Sequence, residues 1–161
     1  MANVARALGA FERRLVTPSR WDEFLRGKRG ALTAAEKQGF ARFVAAGCSD
    51  CHNGMAVGGR MFQVLGEARP WPLQADSGRM GVTGKREDLF LFKVPALRNV
   101  EHTGPYFDHG LVTDLGEAVR LMARYQRGMA LSETDVAEIL VWLKTLTGTP
   151  PRDLVPAPDD R

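Results

Sequence analysis

The chain has 161 residues, 25% of them charged and 44% hydrophobic, with a net charge of +3, the composition of a soluble domain able to bury a core. Its 22 basic residues are dispersed among 19 acidic ones, which excludes a nucleic-acid footprint and leaves a mildly basic surface suited to weak docking with an acidic partner. No apolar run reaches the roughly 18 residues of a spanning helix, so no membrane span is expected.

In chain order, Val4, Ala7, Leu8, Phe11 and Leu15 fall on one face and predict an amphipathic helix over 4–15, ended before Pro18. Thr33 with Glu36 forms a capping box. The helix it opens carries Phe40, Phe43 and Val44 inward and stops at Gly47. Residues 53–95 are dense in turn formers, among them Gly54, Gly58, Gly59, Gly66, Gly78, Gly81, Gly84, Pro70 and Pro72. They predict a long irregular excursion, which compact domains keep for a function. Regular structure resumes at Asp114, where Leu115, Ala118, Val119, Met122 and Tyr125 share a helical face. Ser132 with Asp135 caps a last helix with core face Val136, Ile139, Leu140, Leu143 and Leu146, ended by Gly148. No convincing strand and no repeat appears. The expected class is all-α, with a helical domain over 1–148 and an extended Pro-rich tail over 149–161.

Cys48-Ser-Asp-Cys51-His52 is the attachment signature of a c-type haem. Two thiols at this spacing reach the two vinyl groups of one porphyrin, and the same turn presents an imidazole to the iron. The competing readings are weaker. A thioredoxin-like pair wants a βαβ setting, and no β-rich run flanks the motif. A structural zinc site wants four ligands, and no second Cys pair exists. One covalent haem c therefore makes the fold expectation a cytochrome c-like domain whose long loops wrap the porphyrin, with His52 as proximal ligand. The start of the chain lacks the apolar core and cleavage site of a secretory signal. Haem c is normally attached outside the bacterial cytoplasmic membrane, so we expect a periplasmic protein whose natural precursor does not begin at residue 1.

The opposite axial position decides between electron transfer and chemistry: a thioether closes the iron, whereas an open position admits a substrate. Met55, Met61, Met80, Met122, Met129, His102 and His109 are the candidates. Met55 and Met61 follow the attachment site too closely to cross to the other face easily. Met80 sits in a flexible loop. Met122 lies on the apolar face of its helix, where periodicity favours an ordinary core methionine over a ligand. His102 and His109 flank a turn around Pro105 and are expected on the surface. Lys85, Lys93 and Arg98 are candidates to pair with haem propionates. Trp21, Trp71 and Trp142 read as packing residues. Phe62 and Phe92 are candidates to touch the porphyrin. Glu117 reads as helix surface, and no acid/base pair for peroxide cleavage stands out.

Residues 92–100, Phe-Lys-Val-Pro-Ala-Leu-Arg-Asn-Val, and 103–110, Thr-Gly-Pro-Tyr-Phe-Asp-His-Gly, resemble the bacterial di-haem cytochrome c peroxidases, a family that includes the di-haem enzyme of methylamine-dehydrogenase maturation. Residues 10–18, 47–54, 114–122 with Gln126, and 140–148 complete a resemblance running over nearly 4–148. It implies the C-terminal, electron-accepting haem domain of such a protein, with Met122 at the place of the axial methionine opposite His52. It further implies a small electron donor (a cytochrome or cupredoxin), a second haem domain or subunit where peroxide is reduced, and a calcium ion held in part by the carbonyls of Thr103 and Pro105. Family members are often dimers, so a homodimer is compatible. The family has histidine directly after the Tyr-Phe pair, whereas Asp108 stands there and His109 follows. Two other functions remain open: the chain is itself a hydrogen-peroxide-reducing peroxidase, or it is a stand-alone monohaem cytochrome subunit docking to another redox enzyme.

Overall fold

The computed structural model describes residues 2–151. The order is α1 (Ala2–Glu12), α2 (Arg20–Leu25), α3 (Ala34–Ala45), β1 (Phe62–Val64), α4 (Met80–Thr83), β2 (Leu91–Lys93), α5 (Leu115–Gln126) and α6 (Glu133–Leu143), with short 3-10 turns between them. The architecture is a cytochrome c-like helical domain, as its class predicted. The expected tail lies outside the described residues beyond Pro151.

Helices α3 and α6 form the frame. Each begins with the capping box its sequence predicts: the Thr33 hydroxyl accepts from the Glu36 N–H at 3.2 Å, and the Ser132 hydroxyl from the Asp135 N–H at 3.1 Å. Gly39 lets the two backbones close up, since a β-carbon there would overlap the Glu138 carbonyl. Against this contact packs an aromatic knot. Trp142, fully buried, has Phe43 at 4.4 Å, Phe40 at 5.2 Å and Trp21 at 5.4 Å between ring centroids. Offset and edge-on pairs of this kind add to the apolar burial itself. Arg42 adds ion pairs to Asp135 at 2.9 Å and Glu138 at 3.1 Å across the same seam.

Helix α2, which brings Trp21 to this knot, is tied to the end of the domain's last turn. Ser19 bridges to Gly148, and the Asn99 side chain accepts from the Gly148 N–H at 2.8 Å. Asp22 receives both guanidinium nitrogens of Arg98, at 2.5 and 2.6 Å. That contact holds its carboxyl at about 2, because the charge-assisted hydrogen bond outweighs the desolvation opposing it.

Three expectations are corrected. The excursion contains a short antiparallel ladder, Phe62 opposite Lys93 and Val64 opposite Leu91; strands of three residues are too short to show an alternation. Val44 points outward at 44% exposure, because α3 presents its inner face through Gly39 and Phe43. The first helix forms, over Ala2–Glu12, but buries none of its residues, so the stripe of Val4, Leu8 and Phe11 stays exposed.

Candidate functional site

Residues 48–52 sit where α3 ends. Gly47 takes a left-handed turn, φ +72°, at the position where helices commonly end with glycine, and Cys48–Asp50 follow as a tight 3-10 turn. The His52 N–H donates to the Cys48 carbonyl at 3.0 Å, and the Asn53 amide donates to the Ser49 and Asp50 carbonyls. The motif is thereby a closed knot that presents both sulfurs and the imidazole together.

Cys48 and His52 face a cavity of about 460 Å³, which falls within the roughly 300–1,000 Å³ usual for cofactor sites. Its walls are mainly apolar: Phe43, Leu65, Phe92, Pro95, Leu97, Val100, Phe107, Leu115, Ala118, Val119, Ile139 and Leu143, with Cys48 among them. A smaller lobe of about 80 Å³ adjoins, with Cys51, Gln63, Val64 and Gln126. His52, Met122 and Lys93 line both lobes. Both cysteines, the histidine and one methionine thus border one slot, although they come from two separate parts of the chain.

Helix α5 brings Met122. Its N-terminus is capped by Asp114, whose side chain accepts from the Glu117 N–H at 2.7 Å. Its last turn anchors the far wall: the Tyr125 carbonyl accepts from Ala68 and Arg69, and the Gln126 amide accepts from the Gly66 N–H and donates to the Val64 carbonyl, each at 3.0 Å.

The electrostatics distinguish among the readings of the thiols. Burial pushes the Cys48 thiol up to about 11 and also raises Cys51, with Arg127 opposing both. A redox pair needs a lowered thiol, so this pair lacks the electrostatics of a disulfide-exchange site. Burial likewise lowers His52, while the Pro95 and Val57 carbonyls pull the other way. The Nδ1 atom is buried without a hydrogen bond of good geometry. A histidine that ligates a metal through Nε2 carries its proton on Nδ1, and His52 Nδ1 is the ring atom held away from solvent. Gly58, at φ +127°, is required here: a β-carbon would overlap the Pro95 carbonyl and stand 3.2 Å from His52 Nδ1. The donor set, the apolar walls and Lys93 at both lobes, with Asp108 the one acid in the lining of the larger, fit a flat apolar group bearing carboxylates, as haem c is.

Other candidates fall elsewhere. Met55 is 83% exposed, and Met61, Met80 and Met129 do not line the slot. Arg98, expected at a propionate, is corrected: its guanidinium is taken by Asp22, the Ser19 hydroxyl and the Met55 carbonyl. Lys85 is not in the lining. Phe92 lines the slot, whereas Phe62 is exposed beneath the Arg79 guanidinium. His102 is exposed as expected, but His109 is not. The His109 Nδ1 accepts from the Leu111 N–H, and its ring stacks on buried Trp71 at 6.0 Å with Nε2 buried. Thr103 and Pro105 border the larger lobe, and no group of three or more ligating side chains occurs among the described residues. Gly58, Phe107 and Arg127 are site residues that the sequence did not single out. Phe107 takes a left-handed φ of +64° on the cavity wall, and no residue pattern announces that.

Comparison with known proteins agrees with this geometry. The chain is 43% identical over 150 residues to a cytochrome c551 peroxidase of Nitrosomonas europaea, an alignment covering 92% of this chain and 45% of that protein. It is 44% identical over 151 residues to the cytochrome c peroxidase Ccp of Escherichia coli, covering 91% of this chain and 32% of that protein. A crystal structure of a MauG-like protein associated with microbial copper homeostasis superimposes with a TM-score of 0.70 at 26% identity, over 89% of this chain and 55% of the other. No protein-family model matches. The chain spans less than half the length of these curated relatives. The chain is a homologue, across nearly all of its described length, of one part of the bacterial cytochrome c peroxidases and their MauG-like di-haem relatives.

Proposed function

We propose that the chain is the electron-accepting c-haem domain of a di-haem cytochrome c peroxidase type, receiving electrons from a small donor protein and passing them to a peroxide-reducing haem on a second domain or subunit. One observation carries this reading: Cys48, Cys51, His52 and Met122 border a single apolar slot. Cys48 and Cys51 would hold the haem covalently, His52 Nε2 and the Met122 thioether would ligate its iron, and Lys93 would meet a carboxylate. The bound group supplies a one-electron carrier. The chain's residues do the rest. The apolar walls would exclude water, the Pro95 and Val57 carbonyls lie against the His52 ring, and Met122, as a ligand, would leave no position open to peroxide, which favours electron relay over catalysis by this chain alone. The carbonyls of Thr103 and Pro105, to which no hydrogen bond among the described residues is directed, would supply part of a calcium site completed from a second domain. Haem attachment of this type implies export to the periplasm. No helix among the described residues is long and apolar enough to cross a membrane.

The test is spectroscopic. The haem-loaded chain should be low-spin when ferric, with a thioether-to-iron charge-transfer band, and should not turn over hydrogen peroxide in isolation. Replacing Met122→Ala should abolish the band and give a high-spin spectrum. A wild-type protein that is high-spin, or that reduces peroxide unaided, overturns the reading.

A further inference from the structure

The slot has two halves with different origins: the turn at 48–52 hangs from the end of α3, while Met122 rides on α5. Something must set the distance between them. Arg127, the residue that closes α5, reaches back across this gap. Its guanidinium ion-pairs with Asp50 at 3.1 Å. It also covers Gly47 so closely that a β-carbon on that glycine would overlap its nitrogen and carbon atoms. One side chain therefore touches the residue before Cys48 and the residue before Cys51, from the helix that carries Met122.

We infer that Arg127 is a positioning residue that clasps the 48–52 turn to α5 and so holds the Met122 thioether in register with His52. This deepens the proposed function and rests on its reading of the slot as one ligand set. The clasp depends on the shape of arginine: a planar fork can lie flat over a glycine while donating to a carboxylate, which an ammonium cannot do. It also depends on Gly47, because any side chain there would displace the guanidinium. The pair is partly solvated, with Arg127 at 37% and Asp50 at 60% exposure. Such pairs add little to overall stability, so the effect of the clasp falls on local geometry. The same cation draws both thiols down against the effect of burial, consistent with its closeness to the attachment site.

The experiment uses the haem-loaded chain and added imidazole, which competes with the thioether for the ferric iron. Loss of the thioether band gives the half-displacement concentration, and urea unfolding is measured alongside. A partly solvated ion pair is worth no more than a few-fold in an equilibrium constant. Arg127→Ala should therefore lower the half-displacement concentration about three- to fivefold while the urea midpoint hardly moves, and Asp50→Asn should shift it in the same direction by less. Displacement of both variants at the wild-type concentration overturns the inference, and so does a change that merely follows the urea midpoint. If Arg127→Ala takes up no haem, Asp50→Asn decides alone. A wild type without the band refutes the proposed function itself, whereas a normal band indifferent to both substitutions refutes only the clasp.

Discussion

The helical frame and the cavity wall obey different rules. Around Trp142 the backbone is regular, its ends are capped and its side chains interlock. The stretch between residues 57 and 107, which supplies much of the cavity lining, contains every left-handed non-glycine residue among those described: Val57, Phe90, Asn99 and Phe107, of which Phe107 lines the cavity itself. Val57 is β-branched and buried, the residue type for which this conformation is most costly. The frame gains its stability from packing that any helical domain could use, and the wall is held in shapes that only the surrounding contacts enforce. At Phe107 that strain lies on the cavity itself, and it persists because the surrounding contacts over-determine it.

Substitutions can test that division. Trp142→Ala should be the most damaging, costing about 3–5 kcal/mol as a large buried aromatic is lost, and it should lower the urea midpoint with or without haem. Gly58→Ala acts on the wall: it meets the Pro95 carbonyl at a φ few side chains adopt, with a cost of about 1–3 kcal/mol. Its distinguishing sign is loss of His52 ligation in the absorption spectrum while the far-ultraviolet helical signal persists.

Arg98→Met tests the tie between the two regions through acid unfolding. Asp22 has a folded value of about 2 against about 3.9 when unfolded. Its contribution is therefore fully present above about pH 4 and disappears as the pH falls toward 2. The substitution should remove about 1–2 kcal/mol near neutrality and flatten that acid limb, as read from urea midpoints at stepped pH. Val44→Lys, on the outward face of the frame, should change stability by no more than about 0.5 kcal/mol. A larger loss would mean that α3 is packed on a side the structure leaves open.

Legibility in the sequence followed the same division. The two predicted capping boxes and the Met122 and Ile139 faces could be read locally, because a helix is decided by residues three and four apart. The attachment turn was equally local. What escaped reading depends on distant pairings. Arg98 finds Asp22 far upstream in the chain, and neither residue's neighbours point to the other. The ladder of Phe62 with Lys93 joins strands too short to show a period. His109 was assigned to the surface because it follows a turn, yet Trp71 from the other side of the excursion covers it. The first helix failed in the opposite sense: its stripe was legible, but a stripe says only that a face is apolar and nothing about what covers it.

The bridge between Ser19 and Gly148 has a consequence for how such a unit is used. Gly148 lies so close to the Thr17 and Pro18 carbonyls that no β-carbon would fit, and the two edges of the stretch 19–148 are thereby stitched at one spot. Polypeptide attached before or after that stretch leaves from the same corner. A body with a single doorway can be spliced into larger chains, duplicated or moved between them without opening its interior.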